Sequence, residues 1–374
     1  MKIAFVVPGG VDRSGEYRVI PALLALFARL SMRDEVHVFA LQQEIRPASW
    51  NLLGARIHNI GRGYTRSRAI QAICAEHRAS AFHVVHSIWS GAPGLVAAAA
   101  ARILRLPSVI HVAGGELMGL PEIGYGGCLS WQGRMREAIV LRSATVVTAA
   151  SAPMIEALAR IGIRAKRLPL GVDRKVWAAR NPVSRDINKP SRLIHVASLN
   201  RVKDQPTLLR ALASVSQSGL EFEMDIVGED TLRGEIQALT ARLGLSPRVR
   251  FHGFVPQQQL CSLMERAHLM MISSRHEAGP LAVLEAGIKG VATVGTAVGH
   301  IAEWAPQAAA AVPVGDWAAL ARATAELLGN EDLRLRIAAE ALCRATQEDA
   351  DFTAQAVQAI YTSLSPGARG RLTA

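Results

Sequence analysis

The chain has 374 residues, half of them hydrophobic and a fifth charged, with a net charge of +11. These values exclude a disordered or fibrous chain, and the length exceeds what one hydrophobic core usually serves, so two α/β domains are expected. Aromatic residues make up only 5% and no basic stripe interleaves with them, which argues against nucleic acid and leaves phosphates and anionic lipid headgroups as partners of a positive surface.

Four cysteines, Cys74, Cys128, Cys261 and Cys343, stand without CxxC spacing or nearby histidines. They read as reduced thiols, not as a disulfide framework or a zinc site, and no metal site is expected. The start, MKIAFVVPGG, is too short in its apolar run for a secretory signal and fits a first strand. The alanine-rich run from Gly94 is broken by Arg102 and Arg105, short of the roughly 20 apolar residues that span a bilayer. A cytoplasmic protein is expected, with peripheral contact to an anionic membrane surface left open.

Short Val- and Ile-rich runs predict strands at Ile3–Val7, Val36–Ala40, Ala81–Ser87, Ser108–Val112 and Thr145–Thr148. Helical spacing lies between them at Tyr17–Leu30, Ala69–Ala75, Leu95–Leu104 and Pro153–Ile161. Such alternation implies a parallel sheet covered on both faces. A first domain is expected over 1–178. Residues 179–191 are polar, contain two prolines and lack periodicity, as a linker would.

Alternation restarts with strands at Leu193–Ala197, Glu223–Val227, Val249–His252, Leu269–Ser273 and Val291–Val294. Helices are predicted at Pro206–Val215, Leu232–Leu243, Gln258–Arg266 and Pro280–Lys289, then at Trp317–Leu328, Asp332–Thr346 and Phe352–Leu364. The second domain spans 192–348, and 349–374 is read as a terminal helix crossing back to the first domain. Two such sheets facing each other leave a cleft at the carboxyl ends of their strands, where α/β sheets bind ligands.

The most informative segment is SSRHEAGPLAVLEAGIKG, residues 273–290. A strand end is followed by a loop carrying Glu277 and Gly279, and Pro280 occupies a first helical position, where its missing N–H is harmless. Leu281, Leu284, Ile288 and Val291 share a face suited to packing on a sheet. Glu285 falls on the flank of that helix. The helix start offers unbonded amides and a positive dipole end, a seat for a diphosphate, and Gly279 lets backbone approach closely.

This segment resembles the retaining glycosyltransferases of family 4, which have the GT-B fold. Their hallmark pairs two glutamates separated by seven residues in the setting E-(A/G/S)-x-(G/P)-x-x-x-L-E-A. Glu277, Gly279, Pro280, Leu284, Glu285 and Ala286 match it. The resemblance implies that Glu277 contacts the donor sugar and Glu285 the ribose hydroxyls. VASLNRVKDQPTLLRAL (196–212) resembles the family's G-R-L-x-x-x-K-G segment, with Lys203 on the lysine that neutralises the donor diphosphate. The family arginine falls on Ser198; Arg201, three residues on, is the candidate to replace its charge.

Residues 227–256 resemble the stretch whose F-x-G-x-V element lines the base pocket through backbone atoms, making Gly253 and Val255 candidates. RLPLGVDRKVW (167–177) resembles the segment that closes the first domain, with Leu170 in place of an asparagine, and TAVGHIAEW (296–304) the loop after the next strand. In the first domain, VPGGVDRSGEY offers Gly10 and Gly15 as the glycine whose amide touches donor phosphate; it is not a G-x-G-x-x-G fingerprint. VIHVAGGELMG (109–119) resembles V-x-x-H-G-x-D, but the family histidine falls on Ala113, so His111 either takes the role or is a core histidine.

The fold class implied is α/β GT-B, two facing Rossmann-like domains with parallel sheets and an interdomain cleft. The activity implied is a retaining, metal-independent transfer of a sugar from a UDP- or GDP-type nucleotide-sugar to a hydroxyl on a saccharide or lipid-linked acceptor, in cell-surface polysaccharide synthesis. The nucleotide-sugar is a co-substrate, and no cofactor is expected. Lys203, Arg201 and the helix start would stabilise the leaving diphosphate electrostatically. Two other readings stand beside it: a non-catalytic binding module, allowed by Ser198 and Ala113, and a sugar-nucleotide 2-epimerase.

Overall fold

The computed structural model describes residues 1–364. The chain divides into two compact units, Met1–Asp173 with Asp349–Leu364, and Arg174–Glu348; residues 365–374 of the expected terminal segment lie outside the described residues.

In the first unit the order is β1 (Lys2–Val7), α1 (Pro21–Leu30), β2 (Glu35–Ala40), β3 (Ala48–Leu52), β4 (Ala55–Asn59), α2 (Thr65–Ala79), β5 (Val84–Ile88), α3 (Ala92–Leu104), β6 (Ser108–Val112), α4 (Trp131–Ser143), β7 (Val146–Ala149), α5 (Ala152–Arg160) and β8 (Lys166–Arg167). The sheet runs β3-β4-β2-β1-β5-β6-β7-β8. β1, β5 and β6 are buried throughout, as their unbroken apolar runs require. The expected all-parallel sheet is interrupted by the antiparallel pair β3–β4 at one edge. Leu52 pairs with Ala55 across Leu53 and Gly54, whose φ values of 50° and 84° give the doubly left-handed loop that suits a hairpin's twist.

The second unit has β9 (Ser191–Val196), α6 (Gln205–Gln217), β10 (Phe222–Val227), α7 (Glu235–Arg242), β11 (Val249–Gly253), α8 (Gln257–Arg266), β12 (Leu269–Ile272), α9 (Leu281–Ile288), β13 (Ala292–Thr296), α10 (Gly299–Trp304), β14 (Ala310–Val312), α11 (Trp317–Gly329) and α12 (Glu331–Gln347). Its sheet, β11-β10-β9-β12-β13-β14, is parallel throughout. Its core joins Leu193, Met224, Ile226, Met271 and Val294 of the strands to Leu208, Leu212, Leu320 and Ile337 of the helices.

The expected linker at 179–191 and the domain boundary near 178 differ from the structure. Residues 179–191 are not a free linker, because they are strapped onto the second unit. The Arg180 amide donates to the Ile288 carbonyl at 2.9 Å, Arg334 donates to the Val183 carbonyl at 2.8 Å, and Arg185 pairs with Glu331 at 3.1 Å. The boundary therefore falls at Asp173 and Arg174, not near 178. The last helix, α13 (Ala350–Leu364), belongs to the first unit's core: Ala354, Val357, Ile360 and Tyr361 pack with Leu23, Leu26 and Phe27. Arg29 of α1 bonds both Asp351 and Asp173, which ties both crossings to one helix.

Sheet order places the ligand-binding ends. In an open α/β sheet the crevice lies where neighbouring strands send their connections to opposite faces. In the second unit that point is between β9 and β12, and in the first between β1 and β5.

Candidate active site

The β9 and β12 ends of the second unit carry the two segments that the sequence singles out. After β9 the chain turns through Asn200, whose Oδ1 accepts from the Lys203 amide at 3.2 Å and caps a short 3₁₀ turn, Arg201–Lys203. Asp204 follows at φ 48°, a left-handed position that an acid tolerates better than most residues, and where the G-R-L-x-x-x-K-G pattern has glycine. Its carboxylate accepts from Thr207 Oγ1 at 2.9 Å, and Arg275 approaches it at 3.4 Å. The turn is therefore rigid, and it aims Lys203 across to the loop after β12.

There the Lys203 ammonium donates to Glu277 Oε1 at 2.5 Å, and Ser274 Oγ donates to the same oxygen at 2.6 Å. Ser273 Oγ donates to the Lys203 carbonyl at 2.8 Å, and the Arg275 amide to the Val202 carbonyl at 2.7 Å, so the two loops are stitched by backbone bonds as well. Beneath them His195 is buried, its Nδ1 on the Met271 carbonyl at 2.8 Å, and desolvation lowers its pKa to about 4. A neutral histidine there adds no positive charge under Lys203.

Gly279 lies in the loop between Glu277 and α9. Pro280 stands one residue outside α9, capping its start, rather than at its first helical position as expected; Leu281 opens the helix and is half-buried. Gly299, at φ 48°, packs against this loop so closely that a Cβ would lie 2.8 Å from Pro280 Cδ. α9 is also more enclosed than its apolar stripe suggested. Val283 to Ile288 are all buried, and a Cβ on Gly287 would come within 2.9 Å of the Ala341 carbonyl of α12.

Glu285 is consequently not on an open flank. It is 7% exposed, and burial pushes its carboxyl up to about 7. The physical cause is desolvation alone.

Four expected residues have partners within their own units. Arg201 bonds Glu235 through both terminal nitrogens at 2.7 Å, on an exposed surface, which gives its guanidinium a partner other than the expected anion. His111 is 0% exposed inside β6, its Nδ1 2.9 Å from Thr148 Oγ1, and desolvation takes its pKa to about 4. It is a neutral core histidine, the second of the two readings open to it, and not a catalytic residue. The Gly10 amide donates to Gln43 Oε1 at 2.7 Å and the Gly15 amide to the Asp12 carbonyl at 3.1 Å, so both amides are occupied within the β1–α1 loop. Glu116, in the stretch after His111, turns inward and accepts from the Ser90 and Gly114 amides at 3.0 and 2.6 Å.

At the ends of β10 and β11, Gly253 adopts φ 65° with open space where a Cβ would be, and its carbonyl accepts from the Gly228 amide at 2.8 Å. Val255 is buried beside it. Gly228, not among the residues the sequence singled out, admits no side chain: a Cβ there would lie 2.0 Å from the Ala197 carbonyl. Gly228 lies within the 227–256 stretch, but only the register of β9 and β10 shows the close approach.

Two α/β units with ligand crevices at strand ends, and a lysine–glutamate pair at one of them, define a GT-B glycosyltransferase fold. Residues 180–342 match the family described as Glycosyl transferases group 1, and residues 18–171 the Glycosyl transferase 4-like domain. The second unit thus carries a Glycosyl transferases group 1 domain, and the first a Glycosyl transferase 4-like domain. It is 30% identical over 173 residues to the D-inositol 3-phosphate glycosyltransferase of Streptomyces scabiei (strain 87.22), covering 43% of this chain and 39% of that one. The chain spans less than half the length of the curated relatives it matches. Among solved structures, Anabaena Alr3699/HepE in complex with UDP and glucose superposes with a TM-score of 0.75 at 20% identity, covering 97% of this chain and all of that one. Sucrose-phosphate synthase from Thermosynechococcus elongatus gives 0.78 at 16% identity, covering 97% and 99%. At these identities the likeness is one of fold.

Proposed function

We propose that the chain transfers a sugar from a nucleotide-sugar to a hydroxyl acceptor, with the donor seated at the β9 and β12 ends of the second unit. The carrying observation is the Lys203–Glu277 contact, 2.5 Å long and part-buried, at the sheet's switch point. A cation and a carboxylate held there divide the donor between them. Lys203 and the start of α9 take the diphosphate, and Glu277, released from the lysine, accepts from sugar hydroxyls. Glu285 accepts from the ribose hydroxyls at its buried carboxyl. Departure of a diphosphate stabilised by these groups requires no metal in the transfer step, and attack from the same face gives retention. The Anabaena neighbour's complex with UDP and glucose is in keeping with a uridine-type donor.

The acceptor is proposed to be a saccharide or lipid-linked saccharide of cell-surface polysaccharide synthesis, met at an anionic membrane surface from the cytoplasmic side. Trp131, Met135 and Ile139, at 61, 51 and 59% exposure, form one outward stripe on α4, opposite its buried face of Gly133, Glu137, Val140 and Leu141. Arg134 and Arg142 lie beside the stripe, also exposed. Apolar side chains flanked by arginines suit the interface of an anionic bilayer. No helix among the described residues is long and apolar enough to cross one.

The test of the donor assignment is thermal unfolding with UDP, GDP, ADP and their sugar conjugates. A nucleotide at 100 times its dissociation constant stabilises by about 2.7 kcal/mol, enough to shift the midpoint visibly. A shift with one base that is lost in Glu285→Ala supports the assignment. No shift with any nucleotide would return the chain to the non-catalytic reading.

A further inference from the structure

A second chemical group lies in the first unit, on the β2–β4 half of its sheet. Phe39 pairs with His58 and Arg56 with His37, so the two histidines sit diagonally on one face of adjacent strands. Glu76 of α2 reaches the same place, its Oε2 3.7 Å from His37 Nδ1. His37 Nδ1 is itself 3.0 Å from His58 Nε2, and the three ligand atoms all lie within 4.8 Å of one another.

The 3.0 and 3.7 Å separations bracket the edge of a coordination tetrahedron. Bonds of about 2.0–2.2 Å to nitrogen and carboxylate oxygen put neighbouring ligand atoms about 3.3 Å apart, so the nitrogens need open by only a few tenths of an ångström. The far nitrogen of His37 is 2.9 Å from Glu35 Oε1, and Lys2 Nζ pairs with that carboxylate at 3.3 Å. A carboxylate behind a histidine fixes the tautomer and orientation of a ligating imidazole. Both rings are held by packing: His58 stacks on Phe39 at 4.7 Å, and Phe82 stands edge-on to His37 at 5.4 Å. His58 also lines a cavity of about 390 Å³ with Asn59, Arg68 and Ala72, which gives an ion a way in and a water room beside it.

We propose that His37, His58 and Glu76 bind a divalent ion of the zinc type, with water as fourth ligand, which fastens α2 to the β2–β4 edge of the sheet. Two histidines and one carboxylate form a borderline set that suits Zn2+ or Co2+ over Mg2+ or Ca2+. The residues are remote in sequence and show no motif spacing, so the sequence alone does not mark them. The ion has no part in the proposed transfer, which is placed on the second unit.

The test uses the full chain, stripped with chelator and titrated with Co2+ and then Zn2+. One equivalent per chain is expected, with the visible bands of four-coordinate Co2+ and displacement of those bands by Zn2+. Glu76→Gln, on a half-exposed helix residue, and His58→Gln are each expected to weaken binding at least tenfold. Glu76→Gln keeps the packing, so a folding failure in the histidine variant does not cloud the result. Nucleotide-induced stabilisation should be unchanged in Glu76→Gln. Absence of a stoichiometric site, or a site that survives both substitutions, overturns the proposal.

Discussion

The Lys203–Glu277 pair does two jobs that pull in opposite directions. In the unliganded chain each group offsets the other's burial; with a donor present each is asked to serve a different part of it. Removing the lysine leaves Glu277 part-buried without its cation, and removes the charge facing the diphosphate. Lys203→Ala and Glu277→Ala are each expected to lower turnover by at least about 100-fold, the range seen when one electrostatic contact to a transition state is lost. Wild-type turnover in Glu277→Ala, measured as nucleotide released per chain, would show the site is misplaced.

Glu285 gives a second prediction at the same scale, with a definite sign. Its folded pKa of about 7 lies above the unfolded value of about 4.3, so the folded chain holds a proton that the unfolded chain has lost between those pH values. Stability therefore falls as pH rises from about 4.3 to 7, and above 7 the burial penalty is complete, on the order of 3 kcal/mol. Glu285→Gln should unfold at a higher temperature than the wild type at pH 8 and at about the same temperature at pH 4.5. If the ribose hydroxyls donate to the ionised form, nucleotide affinity should fall about tenfold from pH 8 to pH 6, and that dependence should vanish in the variant.

Both glutamates were legible in the sequence, because their spacing and the following proline mark a strand–loop–helix turn. Which face each presented was not. Periodicity assigns residues to a face, but whether that face is covered depends on a distant partner, here α12 over α9. For His111 the sequence left a catalytic and a core reading open, and the packing gives the core one. Its position in a strand was read correctly, and β7 supplies Thr148 to close it in.

At the scale of elements, the sheet ends are set by glycines that admit no side chain. Gly228 sits at φ 147° with the Ala197 carbonyl in the space a Cβ would take. Gly228→Ala must push the ends of β9 and β10 apart, at a cost of about 3 kcal/mol, and should lower the unfolding midpoint by several degrees. An unchanged midpoint would mean that this join is looser than described. Buried parallel strands were legible as apolar runs, whereas β3 and β4 were not. They are short, their residues include Ser49, Asn51 and Arg56, and their turn is Leu-Gly instead of the common Asn-Gly. α4 was missed as well, since the stripe Trp131, Met135 and Ile139 faces outward and obscures the inward one.

For the molecule as a whole, the net charge of +11 and the α4 stripe belong to one reading. Sedimentation with anionic vesicles is expected to carry the chain down at low salt, weakly with neutral vesicles, and much less in Trp131→Ser/Ile139→Ser. Equal binding by that variant would remove α4 from the contact. The two-unit α/β plan was legible from strand and helix alternation alone. The strap at 179–191 was not, because arginine bonds to main-chain carbonyls leave no periodic trace.

Calorimetric titration of UDP and GDP into the wild-type chain and Lys203→Ala, side by side at pH 8, addresses the donor site directly. One equivalent of one nucleotide should bind the wild type, and binding should weaken at least tenfold in the variant. Equal affinity in the two proteins, or no binding to either, would contradict a donor site built on Lys203 and Glu277.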